Sequence, residues 1–205
     1  MDGGAAEPGQ AAVLDLSKYP TAQKLVQRCC EFFEEVEDLT PGQALEARLN
    51  RDYGPGSAVY SDLSAYIRQG LDEGWVAPTE IKGRSYRRGK IALPSESTRF
   101  FSITAVYMDS TSEAKSETET GPLTGQYHAH PYGEINCVIP VEGEKGQKAE
   151  LEGMGGWRGA GWTSPGPGTH HYPRVRGGAL VALFFLPAGR ISYKATPDMA
   201  QPLSV

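Results

Sequence analysis

The side chains best suited to chemistry are the four histidines, which fall in two short clusters. His128 and His130 form the first cluster, and His170 and His171 form the second. Because side chains alternate along a β-strand, the first two would point to the same face. Glu134 follows across a Pro-Tyr-Gly turn and can return beside them. Two imidazoles and a carboxylate that leave open positions suit a catalytic divalent metal of the Fe, Mn, Ni or Zn type.

The second cluster ends a Gly/Pro-rich segment over residues 161–171. This composition predicts a turn that delivers a histidine onto the next strand, where it would complete the ligand set. The residues leave open whether His170 or His171 is that ligand. A single histidine on a strand is usually an ordinary polar residue, whereas this combination of motifs is typical of a metal site.

The composition favours many short strands rather than a helical bundle. The 205 residues include 25 Gly and 15 Pro, which punctuate strands and turns. The length suits one domain, or one domain with a helical extension. Runs rich in β-branched and aromatic residues predict seven or eight strands, at 85–93, 99–109, 125–130, 134–141, 148–151, 161–163 and 179–185. No helical pattern alternates with them, so we expect a β-barrel or jelly roll.

The N-terminal part has a different pattern. Apolar residues at helical spacing, with charged residues between them, predict three short amphipathic helices over residues 20–74. Thr40 followed by Pro41 predicts the start of the second helix, Ser57 caps the third, and Gly74 ends it. We therefore expect a mainly β protein with an α-helical N-terminal segment over 1–77, packed on a barrel domain over 78–205. Within the barrel, one strand should direct Phe101, Ile103, Ala105 and Tyr107 to a single side.

Several classes of partner are excluded by composition. The net charge of −5 argues against a nucleic-acid surface, which needs a clustered basic patch. The first ten residues lack the pattern of a secretory signal. The longest apolar stretch, Ala179–Pro187, is much shorter than the ~20 residues of a membrane helix. Three cysteines without CxxC spacing fit a reducing compartment, so we expect a cytoplasmic protein without membrane or nucleic-acid partners.

The two clusters resemble the motifs of the cupin superfamily, whose fold is a small jelly-roll barrel. HxH followed by Glu matches His128, His130 and Glu134, and the histidine of the second motif falls on His171. Three turn positions depart from the superfamily pattern, namely Val141, Gly166 and Val175. The resemblance implies a cupin-type double-stranded β-helix with one divalent transition metal ion on those four ligands. Cupins are often dimeric, so it also implies a homodimer.

A closer resemblance covers most of the C-terminal two-thirds. The segments GQYHAHPYGEINCVIP (125–140) and GWRGAGWTSPGPGTHHYPRVRGGALVALFFLPAGRISY (156–193) are similar to the 4-hydroxylaminobenzoate lyase family. Enzymes of that family act in bacterial nitroaromatic degradation. They turn 4-hydroxylaminobenzoate into 3,4-dihydroxybenzoate (protocatechuate) and release ammonia. The resemblance implies the same metal-dependent activity for this chain.

This chemistry suggests roles for individual residues. Expelling hydroxide from nitrogen is difficult, so a Lewis acid or a general acid at that oxygen would help. The candidate catalytic residues are Glu134, His170 and Tyr127, with His170 or Tyr127 as the proton donor if His171 is the metal ligand.

An aromatic carboxylate also needs a cationic clamp and a flat apolar slot. Arginine suits the clamp because its guanidinium can bind a carboxylate through two hydrogen bonds. The candidate clamps are Arg174, Arg176, Arg99 and Arg190, and the candidate ring walls are Tyr127, Tyr132, Trp157, Trp162 and Tyr172. Because side chains alternate between the two faces of a β-strand, Asn136 should share the inward face with Glu134, and Cys137 should point the other way. Each arginine is also consistent with an ordinary surface position, and each aromatic with the core.

Two other functions remain compatible with the residues. The same ligand set serves other cupin metalloenzymes, such as a dioxygenase or isomerase acting on a small aromatic or sugar acid. The third possible function is that of a non-enzymatic cupin, which binds a ligand without transforming it. Oxygen consumption separates a dioxygenase from the lyase, because the lyase needs none.

Overall fold

The computed structural model describes residues 12–111, 121–142 (for Glu142, the backbone only) and 148–202. In these ranges the protein is mainly β, with three α-helices near the N-terminus, as predicted. A short 3₁₀-helix at Leu16–Lys18 precedes α1 (Pro20–Glu35), α2 (Gln43–Asp52) and α3 (Ala58–Asp72). Among the described residues, no helix has the length and apolar character to span a bilayer.

The helix ends confirm two of the three predicted boundary signals. The Ser57 hydroxyl accepts a hydrogen bond from the Tyr60 amide and caps α3. Gly74, with a φ of +79°, follows the end of that helix. The predicted start of α2 at Thr40 and Pro41 is wrong, since the helix begins at Gln43 after Gly42. The Gly42 amide instead donates to the Ser164 hydroxyl at 3.1 Å, so a contact with the barrel sets this boundary.

Twelve strands lie in the described part of the chain. They are β1 (Thr79–Glu80), β2 (Tyr86–Ala92), β3 (Phe101–Asp109), β4 (Leu123–Thr124), β5 (His128–Ala129), β6 (Ile135–Glu142), β7 (Glu150–Gly153), β8 (Gly156–Arg158), β9 (Gly161–Thr163), β10 (His170–His171), β11 (Arg174–Arg176) and β12 (Ala179–Pro187). The seven predicted segments are all represented, one of them (161–163) with the predicted bounds and the other six with altered bounds. The strands that the sequence missed have two or three residues each, too short for an alternating pattern to identify.

The strands form antiparallel sheets. A six-stranded sheet has the order β1-β2-β3-β12-β6-β9, and a four-stranded sheet has the order β4-β11-β7-β8. A two-stranded ribbon of β5 and β10 completes the barrel. Apolar side chains from both larger sheets form one buried cluster between them, including Met108, Leu151, Val175 and Leu180. This arrangement is the cupin-type barrel that the sequence predicts.

The helices cover the outer face of the six-stranded sheet. Buried apolar side chains of the helices and of this sheet form a second cluster, the helix–sheet cluster. It includes or contacts all four residues predicted to share one side of their strand, which confirms that prediction: Phe101, Ile103, Ala105 and Tyr107. Cys137 also lies in it, whereas its neighbour Val138 lies in the cluster between the sheets. The helices and the outer face of this sheet thus share one hydrophobic cluster, separate from the cluster between the two sheets. The division of the chain at residue 77 and the homodimer stay predictions.

Candidate active site

Strand pairing decides which histidines meet. In the ribbon of β5 and β10, His171 lies opposite His128, and His170 lies opposite Ala129. Because side chains alternate between the faces of a strand, His171 and His128 share one face and His170 points to the other. The strand register therefore places His171, and not His170, beside His128.

Three histidines converge on one point inside the barrel. Ligand nitrogen atoms of His128, His130 and His171 all lie within 4.8 Å of one another. The ring of His128 is 4.7 Å from that of His130 and 5.1 Å from that of His171. The sequence pattern predicted this convergence of groups from distant parts of the chain.

A tight turn brings Glu134 to the same place. Gly133 has a φ of +79°, and a Cβ atom there would lie 2.4 Å from Cβ of Pro41, so glycine is required. The Glu134 Oε2 atom lies 3.4 Å from Nδ1 of His130. Asn136 donates to Oε1 of Glu134 at 2.7 Å and to the Thr163 hydroxyl at 3.0 Å. Asn136 therefore shares the inward face with Glu134, as predicted, and orients its carboxylate.

The polar atoms of this cluster fit a metal ion. His128 Nε2, both ring nitrogens of His130 and Glu134 Oε2 are buried and have no hydrogen-bond partner within the described structure. Buried polar atoms without partners are rare in proteins, and here they face one another. The Nδ1–H of His128 donates to the Gln126 carbonyl at 2.8 Å, which leaves its Nε2 lone pair free to bind metal. Imidazole nitrogens with one carboxylate oxygen are a donor set for divalent transition metals.

Burial also sets the charge of the site. It lowers the pKa of His128, and it lowers the pKa of His130 to about 4 and that of His171 to about 2, with the neighbouring histidines adding to the effect. All three imidazoles are therefore neutral at pH 7, which is the form that binds metal. Burial raises the pKa of Glu134, against the opposing effects of His128 and Asn136.

A cavity of about 360 Å³ lies against β2, β3 and β12 of the six-stranded sheet and reaches His128. This volume is at the low end of the ~300–1,000 Å³ range of ligand cavities and suits one small aromatic ring. Its polar wall comes from Tyr86, Arg88 and Lys90 on β2, with Tyr193 near the mouth. Sequence reasoning did not select these residues. Their spacing on a predicted strand indicated that they share one face, but not that this face is the inner one.

The predicted arginine clamps lie elsewhere. Arg174 pairs with Glu152, and Arg176 pairs with Glu150 while its guanidinium stacks on Trp157 at 4.2 Å. Arg99 donates to the Phe33 and Val36 carbonyls at 2.6 and 2.9 Å, at the end of α1. Arg190 is exposed and does not line the barrel cavity. Arg174 and Tyr172 do line a second, shallower depression of about 320 Å³ on the other side of His171.

The remaining candidates are dispersed. Tyr127 hydrogen-bonds through its hydroxyl to Nδ1 of His170, and the His170 amide and carbonyl are bonded to the Gln201 side chain, so this pair contacts the C-terminal segment. Trp162 is fully buried in the helix–sheet core. Tyr132 is 54% exposed and outside the barrel cavity. The structure does not bring these four side chains to the cavity, and their catalytic or substrate-binding roles stay predictions.

The family model and the curated relatives that match this chain carry the same family name. The family model described as "PnbB: 4-hydroxylaminobenzoate lyase" matches residues 27–193. A 4-hydroxylaminobenzoate lyase of Nocardioides sp. (strain LMS-CY) is 49% identical over 177 residues, covering 86% of this chain and 97% of the relative. One of Pseudomonas putida is 48% identical over 170 residues, covering 83% and 94%. A solved chain from a study of DMSP lyases is 14% identical, with a TM-score of 0.39 over 85% of this chain and 98% of its own.

Proposed function

Because the chain belongs to the 4-hydroxylaminobenzoate lyase family, we propose that it converts 4-hydroxylaminobenzoate and water into 3,4-dihydroxybenzoate and ammonia in the barrel cavity. The observation that carries this proposal is the convergence of three neutral histidines with Glu134 beside them, next to a cavity that His128 lines and whose volume suits a single ring.

The proposed reaction balances without an external oxidant or reductant. The N–O bond and the C–N bond break, and two C–O bonds form, one at the ring carbon that carried nitrogen and one at the adjacent carbon in place of its C–H bond. Two electrons pass from the ring to nitrogen, which leaves as ammonia, and one water supplies the remaining oxygen and hydrogen. The barrier lies in the loss of hydroxide from nitrogen, so the site must stabilise negative charge on that oxygen.

We assign metal binding to His128, His130, His171 and Glu134. The convergence of the three imidazoles supports the histidines, and the partnerless buried atoms of His128, His130 and Glu134 support a shared ion. A divalent metal ion bound there would supply Lewis acidity, which stabilises an oxygen that is gaining negative charge. Asn136 holds the Glu134 carboxylate, and the Gln126 carbonyl holds the ring of His128. These two contacts fix the direction of the ligand atoms before substrate enters.

The first test is an assay of ammonia under strictly anaerobic conditions. We expect purified protein to release one ammonia per 4-hydroxylaminobenzoate at the same rate with and without oxygen, because oxygen is not a reactant. Product is identified by chromatography against authentic 3,4-dihydroxybenzoate. A chelator should stop the reaction, and a divalent transition metal should restore it. Oxygen consumption in step with turnover would instead favour a dioxygenase.

Tyr86 is the proton donor that the cavity best supports. Burial raises the pKa of its hydroxyl, so the group keeps its proton at neutral pH and can donate a hydrogen bond. The side chain lines the same cavity as His128. We expect Tyr86→Phe to lower kcat by roughly 10²-fold with little change in KM, since general acid catalysis contributes about 10²–10⁴-fold.

Tyr127→Phe is the matched control. It removes the same hydroxyl from a tyrosine on the other side of the ribbon, bonded to His170. We expect kcat within about twofold of the unmodified enzyme, as for other surface substitutions of small effect. A large loss in Tyr127→Phe, with none in Tyr86→Phe, would assign proton donation to the Tyr127–His170 pair instead.

A further inference from the structure

The barrel cavity carries positive charge in an acidic protein. The chain has a net charge of −5, yet the described residues that line this cavity include Arg88 and Lys90 and no Asp or Glu. The rest of the lining is mostly apolar, from Val106, Met108, Phe184 and other side chains of β3 and β12. A low-dielectric wall around two cations strengthens their attraction for an anion.

Strand alternation explains why these cations face inward. On β2, Tyr86, Arg88 and Lys90 occupy alternate positions and line the barrel cavity. Arg87, between them, faces the opposite side, where its guanidinium lies 4.3 Å from the centre of the Tyr107 ring. Two adjacent arginines on one strand therefore have different surroundings.

The surroundings of Lys90 suit an incoming anion. In the part of the chain that the structure describes, no carboxylate lies within ion-pair distance of the Lys90 ammonium. The guanidinium of Arg174, unlike this ammonium, is bound to Glu152 through two N–H groups. Arg88 connects the cation pair to the histidines, because its Nη1 lies 3.5 Å from the Tyr193 hydroxyl and the Tyr193 ring is 6.2 Å from that of His128.

We propose that Arg88 and Lys90 form the binding site for the carboxylate of an aromatic acid, whose ring lies in the cavity with its opposite substituent towards His128. The assignment of that acid as a 4-hydroxylaminobenzoate rests on the proposed function. Arg88 offers a planar pair of donors to the carboxylate, and Lys90 adds a point charge. Fixing the carboxylate at one end of a rigid ring presents the para nitrogen to the histidines. The site therefore selects for acids over neutral ring analogues.

The test measures binding of a ligand that cannot react. 4-Aminobenzoate lacks the N–O bond, and 4-aminobenzamide is its uncharged counterpart. We expect the metal-loaded enzyme to bind the acid at least about tenfold more tightly than the amide, measured by calorimetry. Arg88→Gln and Lys90→Gln should each weaken acid binding by about 10- to 100-fold, as expected for loss of a charge-assisted hydrogen bond. Neither should change binding of the amide by more than about threefold.

Arg87→Gln is the matched control, because it makes the same change one residue away on the opposite face of β2. It should bind the acid as the unmodified enzyme does. Arg88→Lys, which keeps the charge but loses the paired donors, should recover part of the affinity. Thermal unfolding of each variant establishes that it is folded, and the preference of the unmodified enzyme for acid over amide tests the site without any substitution.

The outcomes separate this site from the proposed reaction. Equal binding of acid and amide, or unchanged acid binding in both Arg88→Gln and Lys90→Gln, overturns the carboxylate site even if ammonia is released. Loss of acid binding in Arg174→Gln alone would move the carboxylate to the depression beyond His171 and also overturn it. Selective acid binding that depends on Arg88 and Lys90, without ammonia release from 4-hydroxylaminobenzoate, supports the site and refutes the proposed reaction.

Discussion

Replacing His171 with alanine is expected to abolish metal binding and ammonia release together. Its ring is 5.1 Å from both His128 and His130, at the point where their ligand atoms converge. Loss of one of three imidazoles leaves a metal ion with too few protein donors to be held at this site. We expect kcat/KM to fall by on the order of 10³-fold or more, since a bound metal contributes several kcal/mol to stabilising charge in the transition state.

His170→Ala provides an internal control for this experiment. It deletes the same side chain from the adjacent residue, whose ring contacts the Ala200 carbonyl and Gln201 rather than the triad. We expect this variant to retain its metal, measured by mass spectrometry of the purified protein, and most of its activity. Metal retained in His171→Ala but lost in His170→Ala would contradict the ligand assignment. Full activity of metal-free unmodified enzyme would remove the metal from the mechanism.

The ligand set illustrates what local pattern can predict. His128 and His130 are two residues apart, so any strand places them on one face, and the Gly133 turn returns Glu134 beside them. These relations depend only on neighbouring residues. The choice between His170 and His171 depends on pairing with β5, which is a contact between distant segments. For that reason the sequence left the choice open, whereas the structure places His171 beside His128 and His130.

The cationic side of the cavity shows the limit of the same reasoning. The strand over 85–93 was predicted, but Arg87 and Arg88 put a cation on each face, so alternation alone could not say which face is inside. The sequence instead offered Arg174 and Arg176, which follow the histidine pair, together with Arg99 and Arg190. The partners of Arg174 and Arg176 are Glu152 and Glu150 on a neighbouring strand, and this pairing cannot be deduced without the β7–β11 register.

The substitution Phe32→Ala is expected to destabilise the whole fold, because this side chain connects the helices to the sheet. Phe32 is fully buried on α1 and stacks on Trp162 of β9 with ring centres 5.0 Å apart. It also contacts Tyr53 after α2 and Phe185 of β12. Truncation removes these contacts and leaves a cavity that rigid neighbours cannot fill. We expect the free energy of unfolding to fall by about 3–5 kcal/mol.

Urea denaturation, monitored by circular dichroism and by tryptophan fluorescence, measures this loss of stability. It also tests whether the helices and the barrel unfold together. If helices and barrel share one core, both signals change in a single transition in the unmodified protein and in Phe32→Ala. Phe100→Ala is the matched control, since that ring is 60% exposed and its loss should cost no more than about 0.5 kcal/mol. A separate, earlier loss of helical signal, or a cost below about 1 kcal/mol for Phe32→Ala, would show that the helical segment folds independently of the sheet it covers. The α-helices would then be an attachment to the barrel. The Gly42–Ser164 and Phe32–Trp162 contacts would contribute little to positioning β9, which pairs with β6 next to Glu134.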